Sequence, residues 1–483
     1  MTHPAASTLG ELRRSGWRSR TVKEEMRANL LDQIRRSEPL LPGILGYDET
    51  VLPQIENAIL AGQDVILLGE RGQAKSRIAR SLVALLDPWI PAVAGAELHD
   101  DPFEPVSPFA VRLVEEQGDE TPITWIAPQD RYAEKLATPD ISIADLIGEV
   151  DPVKVAEGRY LSDEMTIHYG LLPRTHRGIF AINELPDLAE RIQVGLLNVM
   201  EERDVQIRGY RVRLNLDLFV IASANPEDYT SRGRIITPLK DRFGAQIRTH
   251  YPEEAATEIA IMDQEATAFA DAPDAIAVHV PGFMKEIVAE LSQLARRSSE
   301  VSQRSGVSVR VTINNAETLT ATALKRAVRL SEPTAAPRIS DLPAVVASTA
   351  GKIELETLGD EAREDRVVEK LLSRATVNVF NRRFALSELA PLIERFEAGA
   401  AAEVGEYVPS SAHEKLVGEI AELRRVIGRL DVVSRRPRWR AGWSSSSRAC
   451  ISTVVSTRSA AAGPCATPAR RMEDPAARPG DGA

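Results

Sequence analysis

A glycine-rich stretch followed by Lys-Ser carries the clearest chemistry in this sequence. Residues 65–76 read Val-Ile-Leu-Leu-Gly-Glu-Arg-Gly-Gln-Ala-Lys-Ser. The four apolar residues predict a short buried strand, after which the chain turns through Gly69 and Gly72 and enters a helix at Lys75. Backbone N–H groups in such a loop, together with a helix N-terminus, suit a polyphosphate. We therefore predict a phosphate-binding loop in which Lys75 contacts the β- and γ-phosphates and Ser76 ligates Mg²⁺.

The predicted loop departs from the usual pattern at one position. Its residues are Gly69, Glu70, Arg71, Gly72, Gln73, Ala74, Lys75 and Ser76. Alanine stands directly before the lysine, where glycine is usual. The alternative is a tight turn whose lysine is merely solvated, so the prediction depends on residues further along the chain.

Two more apolar strands are predicted downstream, and both end in polar residues. Residues 179–182 precede Asn183 and Glu184, and residues 218–222 are followed closely by Asn225. Strands that alternate with helices predict a parallel sheet, whose ligand groups gather at the carboxyl ends of the strands. There Glu184 would polarise an attacking water and Asn225 would orient it. The alternative for Glu184 is a carboxylate that only stabilises the start of the next helix.

Asn183 occupies the position at which P-loop ATPases usually carry an aspartate for the Mg²⁺ shell. Asparagine keeps one carbonyl oxygen but has no charge, so we expect weaker metal binding through this residue. We assign Ser76 and Asn183 to the metal site. The alternative is a protein that binds nucleotide without hydrolysing it.

Arginines that follow the third strand and precede a later helix are candidates for stabilising charge on the phosphates. Arg242, with Arg234 as a weaker candidate, could act across a subunit interface as an arginine finger. The alternative for Arg242 is a surface pair with Asp241. Arg310, predicted to precede a helix near residue 315, could reach the γ-phosphate or could be an ordinary solvated arginine.

Composition excludes several classes of protein. The 483 residues carry a net charge of −11, with 43% hydrophobic and 27% charged residues, which does not favour specific nucleic-acid binding. No apolar run approaches a membrane span, and the first 20 residues lack the apolar core of a secretory signal. The two cysteines lie near the C-terminus, and the histidines show no metal-ligand spacing. We expect a cytoplasmic protein with no metal other than Mg²⁺.

The hydrophobic pattern predicts four regions along the chain. Residues 1–39 would be helical and partly disordered, 40–252 a nucleotide-binding domain, 253–400 a helical domain, and 401–483 a helix and a low-complexity disordered tail. A hairpin at 205–214 would present Arg208, Arg211 and Arg213. Helices of the third region are expected at 254–272, 282–298, 315–330, 340–357, 364–374 and 385–397.

Taken in order, these motifs resemble the AAA+ ATPases of the MoxR and magnesium-chelatase I-subunit group. The resemblance covers roughly residues 40–400 and rests on residues 69–76, 170–178, Asn183-Glu184, the hairpin after 200–202, 224–226 and 241–243. It implies an α/β fold, in which a P-loop αβα domain with a parallel sheet is followed by a helical lid. It also implies ATP and Mg²⁺ as cofactors, a homo-oligomeric ring, usually a hexamer, and a partner protein with a von Willebrand A domain.

Three functions remain open on the sequence. The first is a ring-forming ATPase that remodels a partner protein, as MoxR-type proteins do. The second is the motor subunit of a magnesium chelatase. The third is a nucleotide-gated scaffold with little or no hydrolysis, as Asn183 suggests. A DNA-translocating ATPase is disfavoured by the acidic charge.

Overall fold

The structure of the protein is a computed structural model. It describes residues 4–150, 167–202, 205–207, 210–212, 214–225, 234–266, 276–302, 305–356 and 361–430. These residues form two compact units: a first unit within residues 1–264 and 302–310, and a second unit within 265–301 and from 311 onwards. In the described ranges, no helix is both long enough and apolar enough to span a membrane.

The strands and helices alternate through the first half of the chain, and helices dominate the second half. The strands are β1 Val65–Leu68, β2 Ile90–Val93, β3 Ile123–Ile126, β4 Tyr132–Leu136, β5 Gly148–Val150, β6 Ile167–Tyr169, β7 Gly178–Asn183, β8 Val205–Ile207, β9 Tyr210–Val212, β10 Leu218–Ala224, β11 Ala245–Arg248, β12 Ala277–Val278 and β13 Thr334–Ala335. The α-helices are α1 Leu9–Arg14, α2 Val22–Arg35, α3 Val51–Leu60, α4 Lys75–Ser81, α5 Pro108–Gln117, α6 Ile143–Leu146, α7 Leu171–Arg174, α8 Glu190–Glu202, α9 Thr237–Arg242, α10 Ala255–Glu265, α11 Gly282–Arg297, α12 Val309–Arg329, α13 Val345–Thr349, α14 Glu361–Arg383, α15 Leu386–Glu397, α16 Ser410–Glu419 and α17 Ala421–Leu430.

A five-stranded sheet in the order β11-β1-β10-β7-β4 forms the centre of the first unit. All of its neighbouring strands pair in parallel, with Val65 opposite both Ile221 and Ala245. Helices cover both faces, which is why the three inner strands are nearly continuous apolar runs rather than alternating ones. The predicted α/β fold class is therefore confirmed. Because the strands are parallel, the carboxyl ends of β1, β7 and β10 meet at one edge of the sheet.

Two hydrophobic clusters hold this sheet between its helices. On one face, α2, α3 and α4 bury residues such as Leu30, Ile55 and Ile78 against β1, β7, β10 and β11. On the other face, α8 and α9 bury Ile192 and Leu239 against the same inner strands. The phosphate-loop residues connect β1 to α4, so they lie between a buried strand and a buried helix.

The chain before residue 20 is more ordered than the sequence predicts. Helix α1 begins after Thr8, whose side chain accepts a hydrogen bond from the Glu11 N–H, and Leu9 and Leu12 are fully buried. A short bridge joins Thr8 to Pro122, and the Trp125 indole donates to the Ala6 carbonyl at 2.8 Å. These contacts come from residues more than 100 positions away, so the local sequence pattern could not predict them.

Several predicted element bounds also need correction. Helix α12 begins at residue 309 rather than 315, and the predicted helix 340–357 is three short pieces, two of them 3₁₀, around Pro343. The pattern of residues 141–150 predicts a short helix that ends near Gly148, and the structure has a helix at Ile143–Leu146 followed by a strand that begins at Gly148. The predicted hairpin is present as β8 and β9, but the side chains of its three arginines and the whole of residues 431–483 lie outside the described residues.

In the described part of the second unit, helices predominate and the strands are the short parallel pair β12–β13. It contains a buried ion pair in which Arg326 donates to Asp341 at 2.7 Å and to the Ala336 carbonyl at 2.7 Å. The arginine and the aspartate are 1% and 3% exposed, respectively. The charges are compensated by hydrogen bonds, which is the condition for burying such a pair.

Candidate functional site

The loop between β1 and α4 adopts left-handed backbone conformations at two positions. Gly72 has φ +74° and Ala74 has φ +57° and ψ +13°. Glycine accepts this region without strain, whereas a residue with a Cβ pays roughly 1–2 kcal/mol. This is the physical reason why glycine is usual before the lysine, and alanine, with the smallest side chain after glycine, still fits here.

Side chains from distant parts of the chain brace this loop. The Gln73 amide oxygen accepts hydrogen bonds from the Glu70 N–H at 3.0 Å and from the Thr249 hydroxyl at 2.6 Å. A Cβ at Gly69 would collide with both Gln73 and Thr249, so this glycine is required by close approach. The Tyr47 hydroxyl donates to the Gln73 carbonyl at 2.9 Å. Sequence reasoning missed Tyr47 and Thr249, because nothing local to either residue points to the loop.

Residues 305–308, which belong to the first unit, lie against the same loop. Arg71 donates to the Ser305 hydroxyl, and a Cβ at Gly72 would collide with Ser308. Arg310 follows in the first turn of α12, where it is exposed and its N–H donates to the Ser308 hydroxyl at 3.1 Å. The structure therefore places Arg310 in a helix that begins beside the loop, and not in a connection before the helix.

A chain of hydrogen bonds connects the lysine of the loop to the strand-end residues. Lys75 is 7% exposed and donates to the Gly69 carbonyl, to the Glu70 carbonyl at 2.9 Å and to Asn225 Oδ1 at 2.7 Å. The Asn225 amide nitrogen in turn donates to Glu184 Oε2 at 3.0 Å. Three residues that lie up to 150 positions apart are thus connected through one asparagine side chain.

Asn183 connects the same strand ends to the start of α4. Its Oδ1 accepts from the Ser76 hydroxyl at 3.1 Å and from the Ser223 hydroxyl at 3.2 Å. The next residue, Glu184, has φ +56° and ψ +48° and donates its N–H to Ser223 at 3.3 Å. Strained backbone of this kind persists only where the surroundings impose it, and it is concentrated at functional sites.

A carboxylate that the sequence did not single out lies beside Asn183. The Asn183 amide nitrogen donates to Glu134 on the neighbouring strand β4, and Arg80 of α4 donates to the same carboxylate at 2.6 and 2.9 Å. The Tyr132 hydroxyl contacts Glu134 at 3.1 Å. Burial raises the pKa of Glu134, but the hydrogen bonds from Arg80, Tyr132 and Asn183 outweigh burial and hold this pKa below its ordinary value. Glu134 is therefore a carboxylate at neutral pH.

The two candidate arginines after β10 lie elsewhere. Arg242 ends α9 and forms an ion pair with Glu201 of α8, not with Asp241, and both partners are partly exposed. Arg234 is exposed, and its carbonyl accepts a hydrogen bond from Gln193 at 3.1 Å. Within one polypeptide, hydrogen bonds therefore join five of the predicted site residues into one cluster: Lys75, Ser76, Asn183, Glu184 and Asn225. Arg242 is instead paired with Glu201 of α8.

The donor set of this cluster suits a hard divalent cation bound together with phosphates. The Ser76 hydroxyl and the Asn183 carbonyl oxygen are neutral oxygen ligands of the kind that Mg²⁺ accepts, and Mg²⁺ usually takes its remaining ligands from water and phosphate oxygens. A carboxylate, Glu134, accepts a hydrogen bond from the Asn183 amide nitrogen.

Sequence comparison finds relatives among the subunits of magnesium chelatase. The chain is 28% identical over 243 residues to magnesium-chelatase subunit ChlI-1, chloroplastic, from Arabidopsis thaliana, and the match covers 49% of this chain and 54% of that protein. It is 28% identical over 251 residues to the magnesium-chelatase 38 kDa subunit of Rhodobacter capsulatus, covering 49% of this chain and 63% of the relative. The chain therefore spans less than two thirds of the length of these relatives.

Comparison with family models and with known structures is less informative. No protein-family model matches the chain. A chain from a model of the complex between subunits BchI and BchD of magnesium chelatase, based on a cryo-EM reconstruction, matches 69% of this chain over 100% of its own length, at 21% identity and a TM-score of 0.33. The sequence relatives confirm the resemblance to the AAA+ group that contains magnesium-chelatase I subunits.

Proposed function

Starting from the relationship of this chain to the I subunits of magnesium chelatase, we propose that it is an AAA+ motor that binds and hydrolyses ATP. In this proposal the motor assembles into a ring, usually a hexamer, and remodels a partner protein. The same proposal includes a nucleotide-binding domain at residues 40–252 and a helical lid at 253–400. It also includes a cytoplasmic location.

The hydrogen-bonded path from Lys75 through Asn225 to Glu184 is the observation that carries it. Hydrolysis requires a cation at the phosphates and a carboxylate at the attacking water, held at a fixed separation. One asparagine that contacts both groups keeps that separation. A lysine that was merely solvated would not be 7% exposed with three hydrogen-bond acceptors around its ammonium group.

The chain's own residues then have separate tasks. The Lys75 ammonium exchanges its loop carbonyls for phosphate oxygens, and the backbone of residues 69–76 surrounds the phosphates. Glu184 accepts a hydrogen bond from the attacking water and polarises it, while Asn225 orients it. Ser76 and Asn183 would hold Mg²⁺, which when bound neutralises charge on the phosphates.

Residues outside the cluster are assigned to the assembled ring. Arg242 is exposed enough to exchange Glu201 for a phosphate of a neighbouring subunit, which would make hydrolysis depend on assembly. Arg310 at the start of α12 would sense the γ-phosphate from within the same chain. A protein with a von Willebrand A domain is the proposed partner.

Steady-state ATP turnover beside a Glu184→Gln variant tests the proposal. We expect turnover to fall by at least about 100-fold because the polarising carboxylate is lost, while ATP binding is retained. Glu190→Gln is the matched control, since this glutamate is exposed at the start of α8 and should leave turnover unchanged. Equal, background-level turnover in the parent and Glu184→Gln, with intact ATP binding, would replace the motor by a nucleotide-gated scaffold.

A magnesium-chelatase motor is the second candidate function, and the similarity of the chain to magnesium-chelatase subunits favours it. The two candidates share the ATP site and differ only in the partner. Mass spectrometry of proteins that co-purify with the chain distinguishes them: a porphyrin-binding partner would indicate the chelatase, and a von Willebrand A protein alone would favour remodelling.

A further inference from the structure

The negative charge that is missing at Asn183 is present nearby, on Glu134. The residue at the end of β7 lacks the negative charge that a Mg²⁺ shell usually receives there. The adjacent strand β4 carries a carboxylate, and register pairs Leu136 with Asn183, so Glu134 sits two residues earlier on the same strand face as Leu136. The charge is absent from one strand and present on its neighbour.

The contacts around these residues form a hydrogen-bonded chain of four side chains that begins and ends on α4. Ser76 donates to Asn183, Asn183 donates to Glu134, and Glu134 accepts two hydrogen bonds from Arg80. Ser76 and Arg80 are four residues apart on α4 and therefore lie on the same helix face. Ser76 and Glu134 thus contact opposite ends of the Asn183 amide.

We propose that Glu134 is a positioning residue for Mg²⁺, supplying through Asn183 and bridging water the negative charge that Asn183 lacks. The inference rests on the proposed ATP site. The Asn183 amide nitrogen donates to Glu134 and its oxygen accepts from Ser76, so this oxygen would be available to Mg²⁺ beside the Ser76 hydroxyl. The carboxylate polarises the amide and adds a negative charge behind it. Outer-shell carboxylates of this kind orient and strengthen the ligands they contact.

Arg80 makes this arrangement adjustable. Its side chain is 64% exposed, while that of Glu134 is 18% exposed, so the arginine can leave the pair at little cost. While Arg80 is paired, part of the Glu134 charge is neutralised. The structural alternative is that Glu134 serves only to fix Arg80 and α4 against β4, and the two roles make opposite predictions for the arginine.

Binding of a fluorescent ADP analogue, measured in excess Mg²⁺ and in EDTA, tests the proposal without relying on turnover. The ratio of the two dissociation constants reports the coupling between metal and nucleotide. We expect the Glu134→Gln variant to bind the analogue normally in EDTA. The factor by which Mg²⁺ strengthens its binding of the analogue should be about 10-fold smaller than in the parent. Arg80→Gln should keep the coupling or increase it, because it leaves the carboxylate unneutralised.

A charge exchange provides the decisive control. Asn183→Asp combined with Glu134→Gln moves the carboxylate back to the end of β7 and should restore the coupling to within about 3-fold of the parent, as expected if a negative charge near the metal is what matters. Thermal unfolding of every variant checks that the fold is intact. Equal losses in Glu134→Gln and Arg80→Gln, an unchanged coupling in Glu134→Gln, or no recovery in the exchange variant would each overturn the proposal. Absence of analogue binding by the parent would instead refute the ATP site itself.

Discussion

Replacing Asn225 by Asp tests whether one asparagine sets the chemistry of its two neighbours. Asn225 donates to Glu184 at 3.0 Å and accepts from Lys75 at 2.7 Å. Aspartate has the same shape but no N–H, so it would place a carboxylate oxygen against the Glu184 carboxylate. The substitution changes charge at the centre of the site while leaving volume almost unchanged.

The size of the effect follows from the distances. Two like charges about 3–4 Å apart at an effective dielectric constant near 20 repel by about 4–5.5 kcal/mol, which corresponds to roughly three to four pKa units. The Lys75 ammonium, at 2.7 Å from the same side chain, offsets about half of this repulsion. We therefore expect the carboxylate pair to titrate with its upper apparent pKa raised by about 1–2 units.

The assay is the pH dependence of ATP turnover between about pH 5 and pH 9. Glu184 must be ionised to polarise water, so a raised pKa moves the acid limb of the profile to higher pH and restores turnover as the pH rises. Asn225→Ala is the control, because it removes the contact without adding charge and should lower turnover at every pH. An acid limb in Asn225→Asp that coincides with that of the parent would refute the assigned roles of Asn225 and Glu184.

Substitutions at four further positions test other parts of the molecule. Lys75→Ala should abolish nucleotide binding measured by fluorescence, and unchanged affinity would refute the loop assignment. Arg242→Ala should lower turnover at least about 10-fold with little loss of binding, and mixing it with inactive Glu184→Gln subunits should restore some turnover if the arginine acts across an interface; no rescue at any ratio would contradict that role. Ala74→Gly should change the free energy of unfolding by less than about 1 kcal/mol, because relief of the left-handed strain is offset by a more flexible unfolded chain, whereas Ala74→Val should destabilise clearly in a denaturant titration. Burial lowers the pKa of His176 to about 3, so the folded state keeps it neutral and stability is lost as the pH falls below about 6.5. In urea unfolding, the free energy of unfolding should differ between pH 8 and pH 5 by about 2 kcal/mol less in His176→Gln than in the parent. An unchanged difference would show that His176 does not cause this pH dependence.

The sequence was sufficient for the fold class and for the order of the site residues. Apolar runs at 65–68, 179–182 and 218–222 predicted strands buried on both faces, and their alternation with helices predicted parallel pairing. The polar residues that end these strands therefore had to meet at one edge. The predicted cluster of Lys75, Ser76, Asn183, Glu184 and Asn225 follows from this reasoning, and hydrogen bonds join all five residues in the structure.

Features set by contacts between distant residues could not be predicted in the same way. The order of α1 depends on Pro122 and Trp125, and the shape of the loop depends on Tyr47 and Thr249. Helix α12 begins six residues earlier than its apolar pattern suggests, which moves Arg310 into the helix. Hydrophobic periodicity reports the buried face of a segment but not which other segment covers it.

Asn183 and Glu134 show the same division most clearly. The sequence by itself determined that an asparagine ends β7 where a charged residue is usual, and it left the missing charge unexplained. Only the tertiary structure placed β4 beside β7 and so brought Glu134 to the Asn183 amide. The physical reason is that strand order, and not sequence separation, decides which side chains become neighbours in a parallel sheet.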